Sequence, residues 1–112
     1  MKDINTLNFG DIILVNYPFS DFGTYKKRPC LVLKQNLDDI LVVFISSKID
    51  KTKTDCLLVK SNKENNLARD SIIRLTKINT VHKDLIYKKI GVLSNSFKND
   101  IKSQLLKVIE EL

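Results

Sequence analysis

From residue 10 to residue 82 every apolar run is short, rich in Val, Ile and aromatic residues, and bounded by turn formers. Only beyond residue 96 do apolar residues recur at helical steps. Parallel strands need long crossovers, usually helical. A chain with no helix between its strands is therefore not expected to form a doubly wound α/β fold. Residues 10–19 (GDIILVNYPF) open on a Gly-Asp turn and predict a strand, with Pro18 weakening the ladder and starting the exit. Residues 20–27 (SDFGTYKK) gather turn formers around Gly23 and predict a loop. CLVLKQ (30–35) and DILVVFISSKI (39–49) predict a hairpin across Asn36-Leu37-Asp38. Residues 50–55 and 61–70 are polar loops around a short strand at 56–60.

The segment SIIRLTKINTVH (71–82) alternates. Ile73, Leu75 and Lys77 fall on one side, and Ile72, Arg74, Thr76 and Ile78 on the other, so an arginine lies among apolar strand neighbours. Residues 84–89 (DLIYKK) predict a short helical turn stopped by Gly91. Phe97, Ile101, Leu105, Val108 and Leu112 then mark one face of an amphipathic helix. Asn95 or Ser96 is its expected cap, and Asp100 complements its dipole. Five strands and one closing helix predict a mainly β architecture: a small, strongly bent sheet or barrel with the helix packed on it.

The 112 residues suit a single domain spanning 1–112. No run reaches the roughly 20 apolar residues of a membrane span. The start MKDINTLNFG has no apolar signal-peptide core. Cys30 and Cys56 sit in apolar runs and are expected as free buried thiols, which points to a cytoplasmic protein. Nineteen basic and 13 acidic residues give a net charge of +6. That balance points to a polyanion partner, nucleic acid or an acidic protein segment. With 16 Lys beside 13 Ile and 10 Asn, it equally fits a lysine-rich codon bias. Against this background the three arginines, at 28, 69 and 74, stand out.

Much chemistry is excluded. One histidine, His82, rules out an imidazole pair within the chain. The carboxylates lie mostly in loops and near the tail, without the strand-end pairing of two-carboxylate catalysis. CxxC, HExxH and Gly-rich phosphate loops are all missing, so neither a metal nor a nucleotide cofactor is expected. What remains is directed at phosphate. Arg28 closes the triplet Lys26-Lys27-Arg28, and Pro29 holds it extended at the mouth of a strand. Ser46 and Ser47 lie where the most apolar strand leaves the core, and Arg74 sits mid-strand. An arginine fork matches two phosphate oxygens, and RNA carries its own nucleophile in the 2′-hydroxyl. Tyr17, Phe19, Phe22 and Tyr25 could stack on bases. Each of these residues also has a plain reading: loop cation, strand end, ion-pair partner, surface histidine or packing aromatic. Residues alone give a basic β domain open to RNA binding.

Four stretches in order, GDIILVNYPFSD, KKRPCLVLK, VVFISSKI and DSIIRLTKINTVHKDLIYKKIGVLS, closely resemble the MazF/PemK (Kid-like) toxins of bacterial type II toxin–antitoxin modules. The resemblance covers roughly residues 9–110. It implies an SH3-like barrel with appended helices that forms a homodimer. It implies a metal-independent endoribonuclease that cuts single-stranded RNA to a 2′,3′-cyclic phosphate and a 5′-hydroxyl. The family's RP arginine falls on Arg28, for acid/base transfer and phosphate clamping, and its strand-end threonine falls on Ser46. The strand arginine of the PemK/Kid branch falls on Arg74, while the acidic position two residues later holds Thr76 and a common Asp is replaced by His82. Tyr25, Lys26, Lys27, Ser47, Lys48, Thr76 and His82 are the expected RNA contacts. The implied partner is an acidic MazE/PemI-like antitoxin meeting loop 20–27. Two alternatives remain: a catalytically degenerate protein that binds nucleic acid or antitoxin, and a CcdB-like gyrase-directed toxin. The second would not need Arg28 and Ser46 together.

Overall fold

The computed structural model describes residues 6–19, 24–49 and 56–112. Outside them lie the terminal MKDIN, loop residues 20–23 with Phe22, and loop residues 50–55; the side chains of Tyr17, Phe19 and Tyr25 are likewise outside the description. Six strands form one sheet: β1 (Asp11–Phe19), β2 (Thr24–Asn36), β3 (Asp39–Ser46), β4 (Cys56–Val59), β5 (Ser71–His82) and β6 (Ile86–Val92). Their order is β4-β5-β3-β2-β1-β6, and every pairing is antiparallel. A helix, α1 (Asn95–Glu110), closes the chain.

The sheet is rolled, because the link between β5 and β6 is too short to span it flat. In a flat sheet β5 and β6 would stand four strand spacings apart, about 19 Å. The chain joins them through a single 3-10 turn, Lys83–Leu85. Four Cα steps from His82 to Ile86 reach at most about 14 Å. The two strands must therefore curl toward each other, and the roll leaves apolar side chains buried on both faces. One cluster gathers Ile13, Val15, Cys30, Val32, Ile40, Val42, Val81 and Ile86. The other gathers Ile12, Leu31, Val43, Ile45, Ile73 and Leu75 under Ile101 of α1. Neighbouring residues of β1, β2 and β3 alternate between the two clusters, as the period of a strand requires.

β5 makes the sharpest bend. Val43 opposes Ile78 and Ile45 opposes Ile73, so two steps on β3 face five on β5. The extra residues bulge at 74–77, where Thr76 and Lys77 are exposed. Lys77 thus leaves the apolar face that alternation assigned it.

Further expectations are corrected. Residues 24–27 are strand, not loop: β1 and β2 stay in register through Phe19↔Thr24, and Pro18 remains in the ladder opposite Tyr25. Lys26 and Lys27 are exposed, so their polarity suggested a loop, while backbone pairing with β1 makes the segment a strand. Arg28 is consequently mid-strand, opposite Val15. Residues 86–89 are strand, not helical turn: β6 completes the free edge of β1, with Ile86 buried opposite Val15. The helix cap is Ser94, whose Oγ accepts from the Phe97 N–H at 3.2 Å. Leu93 must stay in the core, which fixes the turning point one residue early. Asp100 accordingly lies beyond the first turn, and Leu112, outside the helix, is exposed. The 36–39 hairpin forms as expected, although Leu37 takes φ +57° without a glycine.

Candidate active site

The β2–β3 ladder ends at the pair Cys30↔Phe44. The residue before Cys30 is Pro29, which has no N–H to offer. Beyond that pair the two strands part around a cavity of about 220 Å³. Its walls are Lys26, Lys27, Arg28 and Pro29 from β2, Ile45 of β3 with Ser47 just after it, Leu67, Ala68 and Arg69 from the loop before β5, and Ser71, which opens β5. Four cations and two hydroxyls line it, and no carboxylate is among these residues. A larger groove of about 570 Å³ shares Lys27, Pro29, Leu67 and Ala68 and continues over Leu14, Ile90, Lys88 and Lys89. Lys89 is tied to the buried Asp11 at 3.1 Å, and Lys27 lies 4.5 Å from the centre of the Tyr87 ring.

Arg28, Lys26, Lys27 and Ser47 meet in the cavity. Ser46 stands beside it: its Oγ accepts the Lys48 N–H at 3.1 Å, a serine turn that aims the next residue, Ser47, at the cleft. Accepting that bond leaves the Ser46 hydroxyl proton to donate elsewhere. Arg74 lies on β5 opposite Cys56, at the same end of the sheet. Its Nε is buried and has no hydrogen-bond partner among the described residues. Thr76 is exposed on the bulge.

His82 stands apart. It opposes Asp39, the first residue of β3, whereas Ser46 is the last. Seven strand steps separate these ends, about 20 Å. His82 instead caps the 3-10 turn, its Nδ1 accepting the Asp84 N–H at 3.1 Å. Two cavity residues, Arg69 and Ser71, escaped the sequence reading because they sat in a polar loop and at a strand start. The rarity of arginine was the one signal that pointed at Arg69. Among the described residues no three His, Cys, Asp or Glu side chains gather as a metal-binding group, and no helix is long and apolar enough to cross a membrane.

Beneath Arg28 lies Cys30, fully buried. Burial pushes its thiol up to about 12, held back in part by the Arg28 charge. The unfolded thiol ionises near 9.0. Its contribution to stability is therefore whole below pH 9 and is lost as pH climbs through 12. At pH 8 a thiol reagent such as DTNB is expected to titrate the half-buried Cys56 in the native protein and both cysteines in urea. Fast native labelling of Cys30 would contradict its burial.

The family model of PemK-like, MazF-like toxins of type II toxin–antitoxin systems matches residues 8–109. The chain belongs to that family. Its fold is that of solved toxins of the same kind. An endoribonuclease from a mycobacterial species, in complex with its cognate antitoxin, superposes with a TM-score of 0.71 at 16% identity, covering 94% of this chain and 96% of that one. The Mycobacterium tuberculosis toxin MazF-mt6 gives 0.68 at 16% identity, covering 88% and 96%. A further mycobacterial endoribonuclease gives 0.71 at 14%, covering 97% and 96%. At these identities the likeness is one of fold. No curated protein matches the sequence. The mainly β reading and the family resemblance drawn from the four sequence stretches are both borne out, with one α-helix among the described residues.

Proposed function

We propose that this PemK-like toxin is a metal-independent endoribonuclease acting on single-stranded RNA in the cytoplasm. The observation that carries the proposal is the cavity where β2 and β3 part, in which cations and hydroxyls converge with no carboxylate among the described lining residues. The endoribonuclease activity of its structural neighbours supports the same reading. In the reaction the RNA 2′-hydroxyl oxygen bonds to the adjacent phosphorus as its proton leaves, and the bond from phosphorus to the 5′-oxygen breaks. The products are a 2′,3′-cyclic phosphate and a 5′-hydroxyl, the leaving oxygen having taken up a proton.

Negative charge grows on the non-bridging oxygens at the transition state, and Arg28, which lines the cavity, would meet it with a planar two-donor fork. The Ser46 hydroxyl donates a hydrogen bond to the reacting group. Arg74 keeps a buried Nε–H without an acceptor among the described residues, a group costing about 1–3 kcal/mol unless something satisfies it. An RNA oxygen would do so. The basic groove also suits an acidic antitoxin segment that folds on binding and excludes RNA, as the neighbour solved with its cognate antitoxin makes reasonable. The active assembly is a homodimer.

The test is a long single-stranded RNA incubated with the protein in EDTA, with fragment ends mapped. Discrete cuts bearing cyclic phosphates are expected, with Ser46→Ala slower than wild type. Intact RNA from folded protein would transfer the proposal to a non-catalytic binding role. Cleavage abolished by EDTA would overturn the metal-free route.

A further inference from the structure

Loop 60–70 is polar, yet it is bound down at almost every residue. Asn65 is only 1% exposed; its Nδ2 donates to the Lys60 carbonyl at 2.9 Å, and its Oδ1 accepts from the Asn62 and Leu67 amides at 3.0 Å each. Asn62 Oδ1 accepts from the amides of Glu64 and Asn65. Asn66, at φ +53°, donates through Nδ2 to the Ile90 carbonyl at 2.7 Å. The loop thus lies on β6 through fixed contacts, and Leu67 enters the core.

This network leaves one long side chain at the cleft. Arg69 is exposed and lines the cavity with Arg28. Its backbone is held on both sides, by buried Leu67 before it and by Ser71 after it, whose Oγ donates to the Arg69 carbonyl at 2.9 Å. The adjacent carboxylate is turned away: Asp70 Oδ1 accepts the Ser61 amide at 2.9 Å. The Arg69 side chain is therefore carried to the cavity that Arg28 lines by a backbone held on both sides, while the neighbouring Asp70 carboxylate is engaged with the loop itself. Two arginines at one cavity suit two neighbouring phosphates.

We infer that Arg69 is a second phosphate clamp, holding the RNA phosphate next to the one bound by Arg28. The inference rests on the ribonuclease reading for its ligand but not for its charge geometry. Arg28 grips the reacting group, while Arg69 fixes the strand where it passes from the cavity into the lysine-rimmed groove. Arg69 thus acts on binding and register, and Arg28 on the chemical step.

The test measures binding of a mixed-sequence 2′-deoxy oligonucleotide, which has no internal nucleophile, by fluorescence anisotropy across a salt series. Each phosphate contact on a single strand contributes about 0.7 to the slope of log affinity against log salt. Arg69→Ala is expected to lower that slope by about 0.7, which corresponds to roughly fivefold weaker binding at 0.1 M salt than the wild type, taking 1 M as common reference. Lys107→Ala, on the last turn of α1, removes the same charge at a residue that lines neither the cavity nor the groove and is expected to leave the slope unchanged. On RNA, Arg69→Ala should raise KM and spare kcat, with Arg69→Lys intermediate. If the wild type cleaves RNA but Arg69→Ala keeps the wild-type slope, the clamp is refuted and the ribonuclease reading stands. If the wild type cleaves nothing while Arg69→Ala still loses slope, the ribonuclease reading fails and the clamp survives.

Discussion

Arg28→Ala is expected to slow RNA cleavage by about 10²–10³-fold, the usual cost of deleting one donor aimed at developing charge. It should do so without unfolding the chain. Arg28 is half-buried on β2, and its backbone pairing with Val15 does not depend on the side chain. Its removal leaves Cys30 below it more firmly neutral, because the Arg28 charge is what lowers that thiol. Arg28→Lys should recover little of the rate, since an ammonium supplies charge but not the planar fork. Single-turnover cleavage beside circular dichroism melting separates the two effects. A folded Arg28→Ala variant cutting at the wild-type rate would move the chemistry to Arg74 or Ser46, whereas loss of activity together with melting would make Arg28 structural.

The sequence held the frame of this site better than its details. β1, β3 and β5 were legible because Ile12, Ile13, Val42, Val43, Ile72 and Ile73 carry period-two burial or continuous apolar runs, and such patterns survive rolling of the sheet. The two misread segments, 24–27 and 86–89, share a cause. Lys26 and Lys27 in the first, and Tyr87, Lys88 and Lys89 in the second, are exposed, so no burial pattern marks them; long-range pairing with the two edges of β1 makes them strands. The site divided along the same line. Arg28 and Ser47 converge because both lie beyond the last rung of the β2–β3 ladder, a consequence of the hairpin at 36–39. His82 looked close to Arg74 in sequence, but β5 is long and bulged, and it carries the histidine to the far end of β3. Arg69 was hidden for the opposite reason. Its place depends on a loop docking onto β6, which only tertiary structure reveals.

That docking makes Gly91→Ala the second large effect. Gly91 is a strand residue opposite Ile12, so the demand on it is one of space. A Cβ there would stand 2.4 Å from the Asn65 carbonyl oxygen and 2.5 Å from that of Glu64. Both are backbone atoms, and no rotamer change relieves them. The loop must lift, although it is fastened on either side of Gly91, by the Val92 amide to the Glu64 carbonyl at 3.0 Å and by Asn66 to the Ile90 carbonyl. Overpacking of this kind costs about 1–3 kcal/mol. Losing the flanking hydrogen bonds adds about 1 kcal/mol each. In a chain of this size Tm should fall by on the order of 10 °C. Amide exchange should quicken first at residues 62–67, because the sheet beneath them keeps its own pairing. As the loop lifts it carries Arg69 from the cavity, so KM for RNA should rise even at temperatures where the protein stays folded. Unchanged melting and unchanged exchange in Gly91→Ala would mean that the loop is not held there, and the fixed position of Arg69 would lose its physical basis.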